Sequence, residues 1–189
     1  RGSWPFPRRL VAGSVVVTPN AEEKASFLDF FGQQATAVLL RAPHERLDIR
    51  MQARVMIDPP SITADLSPEL DKLQEELDSL WSVAPASPHH LTAQSPRLPN
   101  DPAIGAYARE ALKPGQTVRE IATTLCSRIH KDFTYDAKAT TVDSTPAQAF
   151  KIKRGVCQDF AHVMIVALRS LGIPAGYVSG FLRTIPPPG

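Results

Sequence analysis

Residues 154–172, RGVCQDFAHVMIVALRSLG, predict a long helix that begins beside a cysteine. After the phenylalanine of this stretch, only His162, Arg169 and Ser170 interrupt an otherwise apolar sequence. A helix that is apolar on nearly every side is normally buried, so we expect it at the centre of a domain. Gly172 is suited to the left-handed turn that ends a helix.

Cys157 lies at the amino end of this predicted helix, just after Gly155, a residue that lets the chain turn sharply. Unpaired backbone N–H groups and the helix dipole favour a thiolate at such an end. The same N–H groups can bind the oxyanion that forms during acyl transfer. On position alone, a packed core cysteine is the simpler interpretation of Cys157. The alternative is that Cys157 is a nucleophile.

The region before this helix is predicted to be helical as well. Asp101 and the proline after it favour a helix start, with the helix running to about residue 112. The sequence TVRE at 117–120 is a capping box, and Thr145 with Gln148 repeats the same start signal. The helix from Thr117 has an apolar stripe made of Val118, Ile121, Ala122, Leu125, Ile129 and Phe133.

Two further predictions concern the surroundings of these helices. Cys126 lies beside the apolar stripe, so we expect a buried, inert thiol there. Residues 175–182, AGYVSGFL, have the composition of a strand.

The first sixty residues are predicted to be β structure. Residues 47–57, LDIRMQARVMI, alternate strictly between apolar and polar side chains, which is typical of a half-buried strand. The stretches SFLDF and ATAVLLRA flank Gly32 and predict a hairpin, and GSVVVTP predicts a further strand. Strands with one apolar face indicate part of an antiparallel β-sandwich.

A helix and a proline-rich segment separate the two regions. Ser67 and Pro68 are expected to cap and open a helix that ends near Leu80. Its apolar stripe is Leu70, Leu73, Leu77, Leu80 and Trp81, and its acidic face is Glu69, Asp71, Glu75, Glu76 and Asp78. Residues 82–101, SVAPASPHHLTAQSPRLPND, are predicted to be a linker.

Composition excludes several classes of protein. A net charge of +2 gives no reason to expect nucleic acid as the partner, and no apolar run is long enough for a transmembrane helix. The start, RGSWPFPRR, has no apolar signal core, and two cysteines do not make a disulfide framework. We therefore expect a cytoplasmic protein without a membrane partner. The sequence leaves its oligomeric state open.

The stretch RGVCQDFAHVMIVALRSLGIPAGYVSGFL, residues 154–182, resembles the bacterial transglutaminase-like proteins, whose domain is similar to papain-like cysteine enzymes. Weaker similarity extends to FTYDAKATT at 133–141. In the β region, DFFGQQATAVLLRAPHERLDI at 29–49 resembles the amino-terminal domain that accompanies the bacterial members. The resemblance implies that Cys157 is the catalytic nucleophile and supplies a backbone N–H to the oxyanion.

The chemistry implied by the resemblance is acyl transfer on a protein or peptide substrate, without cofactor or metal. Cys157 would attack a glutamine side-chain amide or a peptide carbonyl, and water or an amine would resolve the thioester. In the family a histidine acts as base in a downstream HAW strand, and an aspartate orients it from a DPT sequence. Neither HAW nor DPT occurs in the 189 residues. We therefore expect the catalytic His and Asp to be absent from this chain, which alone would be inactive.

Internal histidines are poor substitutes for the missing base. His162 is five residues from Cys157, about 140° around a helix, so it is predicted to be a packing residue. Asp159 also points away and is expected to serve the helix start. The spacing between His130 and Cys157 gives no support for His130 as the base, and His44 is expected to be structural.

Metal binding is also a weak interpretation of this sequence. His89 and His90 are adjacent in the chain, so both cannot easily bind one ion. Cys126 and His130 are four residues apart, but no further pair of ligands lies near them in the sequence. We expect no metal site.

The sequence thus predicts an α+β chain: a partial β-sandwich domain at 1–60, a helix and proline-rich linker at 61–100, and the helical half of a papain-like, transglutaminase-like core at 101–189. Two alternatives to a transglutaminase-like acyltransferase or amide hydrolase remain. One is a non-catalytic binding or assembly module on the same fold, marked by an ordinary Cys157 in alkylation. The other is a cysteine peptidase, which peptide cleavage without amine incorporation would mark.

Overall fold

The computed structural model describes residues 8–57 and 64–180. The chain divides into two compact units. The first extends to Ala64 and includes residues 84–86, and the second comprises residues 65–83 and the chain from Ser87 onward. The predicted boundaries at residues 60 and 100 stay predictions.

The first unit contains two antiparallel strand pairs. Strand β1 (Arg8–Thr18) pairs with β4 (Asp48–Ile57), and β2 (Glu23–Leu28) pairs with β3 (Gln34–Leu39). The predicted hairpin between β2 and β3 is confirmed, and Gly32 adopts a φ of +75° in its turn, which few residues other than glycine tolerate. The Lys24 ammonium links the two pairs by donating to the backbone carbonyl of Val15 (2.7 Å).

The apolar face of β4 is exposed, which corrects the prediction of a half-buried strand. Ile49, Met51 and Val55 retain more than half of their accessible surface. The alternating pattern correctly predicted a strand here and which of its residues share a face. On the same face, Val17 of β1, the cross-strand partner of Ile49, is the one buried apolar residue among the described residues of this unit, so most of the face is open to solvent.

The second unit is built around the predicted central helix. Its elements are α1 (Leu70–Ser79), α2 (Pro102–Arg109), α3 (Val118–Asp132), β5 (Thr134–Tyr135), α4 (Pro146–Ile152), β6 (Arg154–Gly155) and α5 (Cys157–Ser170). Helix α5 packs against α2, α3 and α4, and seven of its residues are buried: Asp159, His162, Val163, Ile165, Val166, Ala167 and Leu168. The predicted burial of α5 is confirmed.

The helix starts follow the capping chemistry expected from the sequence. The carboxylate of Asp101 accepts from the backbone N–H of Ile104 (2.9 Å) at the start of α2. Thr117 caps α3 and Thr145 caps α4, each in a full capping box. Gly172 has a φ of +76° just after α5, as its position predicted.

Helix α1 begins two residues later than predicted. Ser67 is not its cap, because the Ser67 hydroxyl donates to Asp65 (2.7 Å) and accepts from the backbone N–H of Arg119 (3.0 Å). Leu73 and Leu77 are buried as expected. The buried part of the predicted apolar stripe ends at Leu77, since Trp81 lies beyond the helix and is 95% exposed.

From Ser87 onward, the proline-rich segment predicted as a linker is part of the second unit. It contains a short 3₁₀ helix (Pro88–Leu91), and Leu98 is buried in the core. The backbone N–H of Ala175 donates to the carbonyl of Leu91 (3.0 Å), and the Arg169 guanidinium donates to the carbonyl of Ala93 (2.7 Å).

Two other predictions in this unit are wrong. Residues 175–180 form no strand, and the remainder of the predicted strand lies outside the described residues. Cys126 is exposed, because it is one helical step past the buried Leu125 and so falls outside the stripe.

Candidate active site at the amino end of the central helix

Cys157 is the first residue of α5, and its side chain is exposed. The predicted position at a helix amino end is thereby confirmed, whereas its role as nucleophile stays a prediction. The first N–H groups of an α-helix have no partner within the helix. An accessible thiol therefore lies beside backbone donors that can bind an anion.

Asp159 organises the turn that carries Cys157. Its side chain is 1% exposed, and its Oδ2 atom accepts two hydrogen bonds. One comes from the backbone N–H of Val156 (2.7 Å) and the other from the hydroxyl of Thr140 (2.7 Å). The sequence correctly assigned Asp159 to the helix start, but it gave no signal for Thr140.

Gly155 allows the chain to pass over this carboxylate. Its φ is +154°, and a Cβ atom added there would lie 2.5 Å from Oδ2 of Asp159. The carbonyl of Gly155 accepts from the backbone N–H of Asp136 (2.9 Å), next to the parallel pairing of β5 with β6. Both the backbone conformation and the available space therefore require glycine at this position.

Lys153 lies at the start of the turn that leads through Gly155 to Cys157. It adopts a left-handed conformation, with a φ of 54°, and its carbonyl accepts from the N–H of Thr134 (2.9 Å). Its ammonium lies 3.2 Å from the ring centre of Phe150 and 4.5 Å from those of Phe133 and Tyr107. Burial among these rings lowers the pKa of Lys153. Cation–π contacts of this kind stabilise the turn that leads to Cys157.

The loop of residues 136–144 lies beside the first turn of α5. The Gln158 side-chain amide donates to the carbonyl of Val142 (3.4 Å). The Arg97 guanidinium donates to the same carbonyl (2.9 Å) and pairs with Asp143 (3.5 Å). Together with the hydroxyl of Thr140, these contacts hold the loop against α5. Sequence reasoning did not identify Arg97 or Gln158, because their contacts depend on tertiary structure.

His162 is a buried packing residue, as predicted. Its side chain is 6% exposed, its ring centre lies 5.3 Å from that of Tyr177, and its Nδ1 atom has no hydrogen-bond partner among the described residues. Burial lowers the pKa of His162 below its ordinary value of 6.5. Asp159 acts in the opposite direction, and Arg97 adds to the lowering. The buried ring and the exposed thiol of Cys157 face different sides of α5.

Acidification should therefore destabilise the second unit through His162. The unfolded chain takes up a proton as the pH falls through 6.5, whereas the folded state resists protonation of His162. We expect the contribution to be complete above pH 6.5 and to be lost progressively below it. Urea unfolding followed by helical circular dichroism from pH 7.5 to 5 should give a flatter profile for His162→Phe than for the natural sequence. His130→Phe, on the exposed side of α3, is the control, and equal slopes in all three proteins would contradict the assignment.

The other candidate ligands do not form a metal site. His130 is exposed on α3, and a ring nitrogen of His44 lies 3.0 Å from the carbonyl of Ala42. Ring nitrogens of His89 and His90 lie near the carbonyls of Leu80 (2.8 Å) and Val83 (3.3 Å). Throughout residues 8–57 and 64–180, no three His, Cys, Asp or Glu side chains cluster as metal ligands.

No helix in the described part of the chain combines the length and apolar character needed to cross a membrane.

Comparison with known proteins shows that part of the chain is similar to a known family. The model of the transglutaminase-like superfamily matches residues 105–186, which include Cys157 and every described contact of Asp159. An uncharacterized protein of Mycobacterium tuberculosis strain H37Rv is 32% identical over 183 residues, covering 96% of this chain and 58% of the relative. One from Mycobacterium leprae is 33% identical over 179 residues, covering 93% of this chain and 60% of the relative. The chain thus spans less than two thirds of these curated relatives.

A solved structure supports the fold. A provisionally assigned cysteine protease from Cytophaga hutchinsonii matches with a TM-score of 0.59 and 19% identity, covering 88% of this chain and 54% of the other. At that identity the likeness concerns the fold alone. With the helices and antiparallel strand pairs described above, it confirms the predicted α+β class.

Proposed function

Since residues 105–186 match the model of the transglutaminase-like superfamily, we propose that Cys157 is the nucleophile of a cysteine acyltransferase or amide hydrolase. The single observation that supports this most strongly is the exposed Cys157 thiol at the first position of a buried helix. The unpaired N–H groups at the start of this helix suit the oxyanion that forms during acyl transfer. The substrate class is a protein or peptide that carries a glutamine side chain or a susceptible peptide bond.

The reaction proceeds through a thioester. The sulfur of Cys157 attacks the amide carbon, so a C–S bond forms, and the C–N bond breaks as the nitrogen leaves with a proton. Water or a primary amine then attacks the thioester carbon. The C–S bond breaks, the new acid or amide departs, and the sulfur regains a proton.

None of the described histidines is assigned as the base of this reaction. The ring of His162 is buried on another side of α5, and its Nδ1 atom lies in the core. His130 is exposed on α3, a separate helix. The family resemblance instead gives that role to a histidine in a HAW sequence, a motif absent from the 189 residues. The proposal is therefore tested on the natural protein that carries this sequence.

Replacing Cys157 should abolish turnover. Cys157→Ser is expected to lower the rate of fluorescent amine incorporation into a glutamine peptide, or of amide hydrolysis, by at least about a thousandfold, as for loss of a covalent nucleophile. Cys126→Ser is the matched control, because it removes the other exposed thiol and should leave the rate unchanged. A mass increase on the peptide containing Cys157 after a rapid acid quench would identify the acyl-enzyme.

The products separate the possible reactions. Amine incorporation indicates a transamidase, and a cleaved peptide without amine incorporation indicates a peptidase. Turnover that survives Cys157→Ser would contradict the proposal. A folded protein that shows no thiol-dependent turnover on any glutamine or peptide substrate would contradict it as well and would favour a binding module.

A further inference from the structure

One carboxylate oxygen joins two segments that are far apart in the sequence. Oδ2 of Asp159 accepts from the backbone N–H of Val156, which immediately precedes Cys157, and from the hydroxyl of Thr140 in the loop of residues 136–144. The carboxylate is 1% exposed. A buried carboxylate in a protein interior needs such donors, since an unpaired charge there is costly.

We propose that Asp159 is a positioning residue for Cys157 and that the Thr140–Asp159 hydrogen bond couples the loop of residues 136–144 to the reactivity of the thiol. This inference rests on the proposed function for its catalytic consequence. Its structural part, a link between the loop and the first turn of α5, can be measured without turnover.

The geometry explains why Thr140 should influence the thiol. The N–H of Val156 is one of the donors at the start of α5 that the helix itself leaves unpaired. When Asp159 accepts from it, the Gly155–Val156 peptide unit is held in place. This restricts the adjoining Val156–Cys157 unit, whose N–H would face an oxyanion. Removing the Thr140 hydroxyl takes away half of the hydrogen bonds at Oδ2, so the carboxylate is free to reorient.

Two further contacts place the loop next to the nucleophile turn. Gln158, the residue after Cys157, donates to the carbonyl of Val142 (3.4 Å), and Arg97 donates to the same carbonyl (2.9 Å). Both contacts lie nearer the surface than the Thr140 bond, which is partly buried. Because hydrogen bonds are stronger away from water, the Thr140 bond should contribute most to holding the loop.

The test compares Thr140→Val with Thr140→Ser in the natural protein that carries this sequence. Valine has nearly the shape of threonine but lacks the hydroxyl, whereas serine keeps it. Each protein is treated with limiting iodoacetamide, and peptide mass spectrometry gives the alkylation rates of Cys157 and Cys126. The ratio of the two rates reports on the local site, because Cys126 is an exposed thiol on α3 and outside this network.

We expect Thr140→Val to lower the ratio about three- to tenfold, since a helix amino end stabilises an anion by an amount of this order when its first turn is ordered. Thr140→Ser should keep the ratio within about twofold of the natural protein, because the hydrogen bond is retained. Hydrogen exchange of residues 136–144 should become faster in Thr140→Val only. A ratio unchanged in Thr140→Val would overturn the coupling, and so would an equal fall in Thr140→Ser.

Kinetics distinguish this inference from the proposed function. If both hold, Thr140→Val lowers kcat for acyl transfer and leaves KM nearly unchanged, because substrate contacts are not removed. If turnover persists in Cys157→Ser, the proposed function fails, yet the alkylation ratio still decides whether the loop is coupled to the thiol. If turnover requires Cys157 and the ratio is unchanged in Thr140→Val, only the coupling fails.

Discussion

Gly155→Ala should destabilise the second unit by about 3 kcal/mol, through backbone strain and overpacking together. Two effects add at this position. A φ of +154° is unfavourable for alanine. In addition, the Cβ atom of alanine would lie 2.5 Å from Oδ2 and 2.9 Å from Cγ of Asp159. The carboxylate cannot withdraw without breaking its hydrogen bonds to Val156 and Thr140.

Gly115→Ala is the matched control for this substitution. Gly115 also has a positive φ, +71°, but nothing lies within 4 Å of a Cβ atom built there. Its expected cost is therefore only the backbone strain of a left-handed residue, about 1 kcal/mol. The loss of helical circular dichroism in urea is a suitable measurement, because all of the described helices belong to the second unit.

Equal midpoints for the two variants would contradict the steric argument at Gly155. Gly155→Ala should also lower the rate of Cys157 alkylation relative to Cys126, since the strained residue lies two positions before the thiol. A destabilised variant that keeps the natural alkylation ratio would mean that the strain is relieved away from α5.

Local sequence signals predicted most of the second unit. The capping boxes at Thr117 and Thr145, and the apolar sequence of α5, each act over one or two helical turns. Short-range signals of this kind are present in the sequence itself. For the same reason the placement of Cys157 at a helix start was predictable.

The predictions that were wrong, and the contacts that were missed, have a different physical cause. The alternation in β4 correctly predicts which residues share a face, but a pattern cannot say whether another layer covers that face, and Ile49 and Met51 are exposed. The hydrogen bond from Thr140 to Asp159 joins residues nineteen positions apart, and the one from Arg97 to Val142 joins residues forty-five apart. Contacts at such separations depend on how the helices pack, so no local pattern reveals them.

The exposed thiol of Cys126 shows how sharply one helical step divides core from surface. Leu125 is fully buried in the hydrophobic core of the second unit, whereas Cys126 is exposed. The sequence placed Cys126 beside the apolar stripe, which is correct. The stripe is too narrow to include it, because consecutive helical residues are about 100° apart.

Leu125→Ala should therefore cost about 3 kcal/mol of the free energy of unfolding, as large-to-small substitutions in closely packed cores do. The neighbouring Cys126→Ala should change it by less than about 0.5 kcal/mol, because it removes an exposed side chain. Helix propensities of ordinary residues span only about 0.7 kcal/mol, so propensity cannot account for a difference of about 3 kcal/mol between the two variants. Urea unfolding followed by helical circular dichroism measures both values. If Leu125→Ala costs no more than Cys126→Ala, the placement of Leu125 in the closely packed core is wrong.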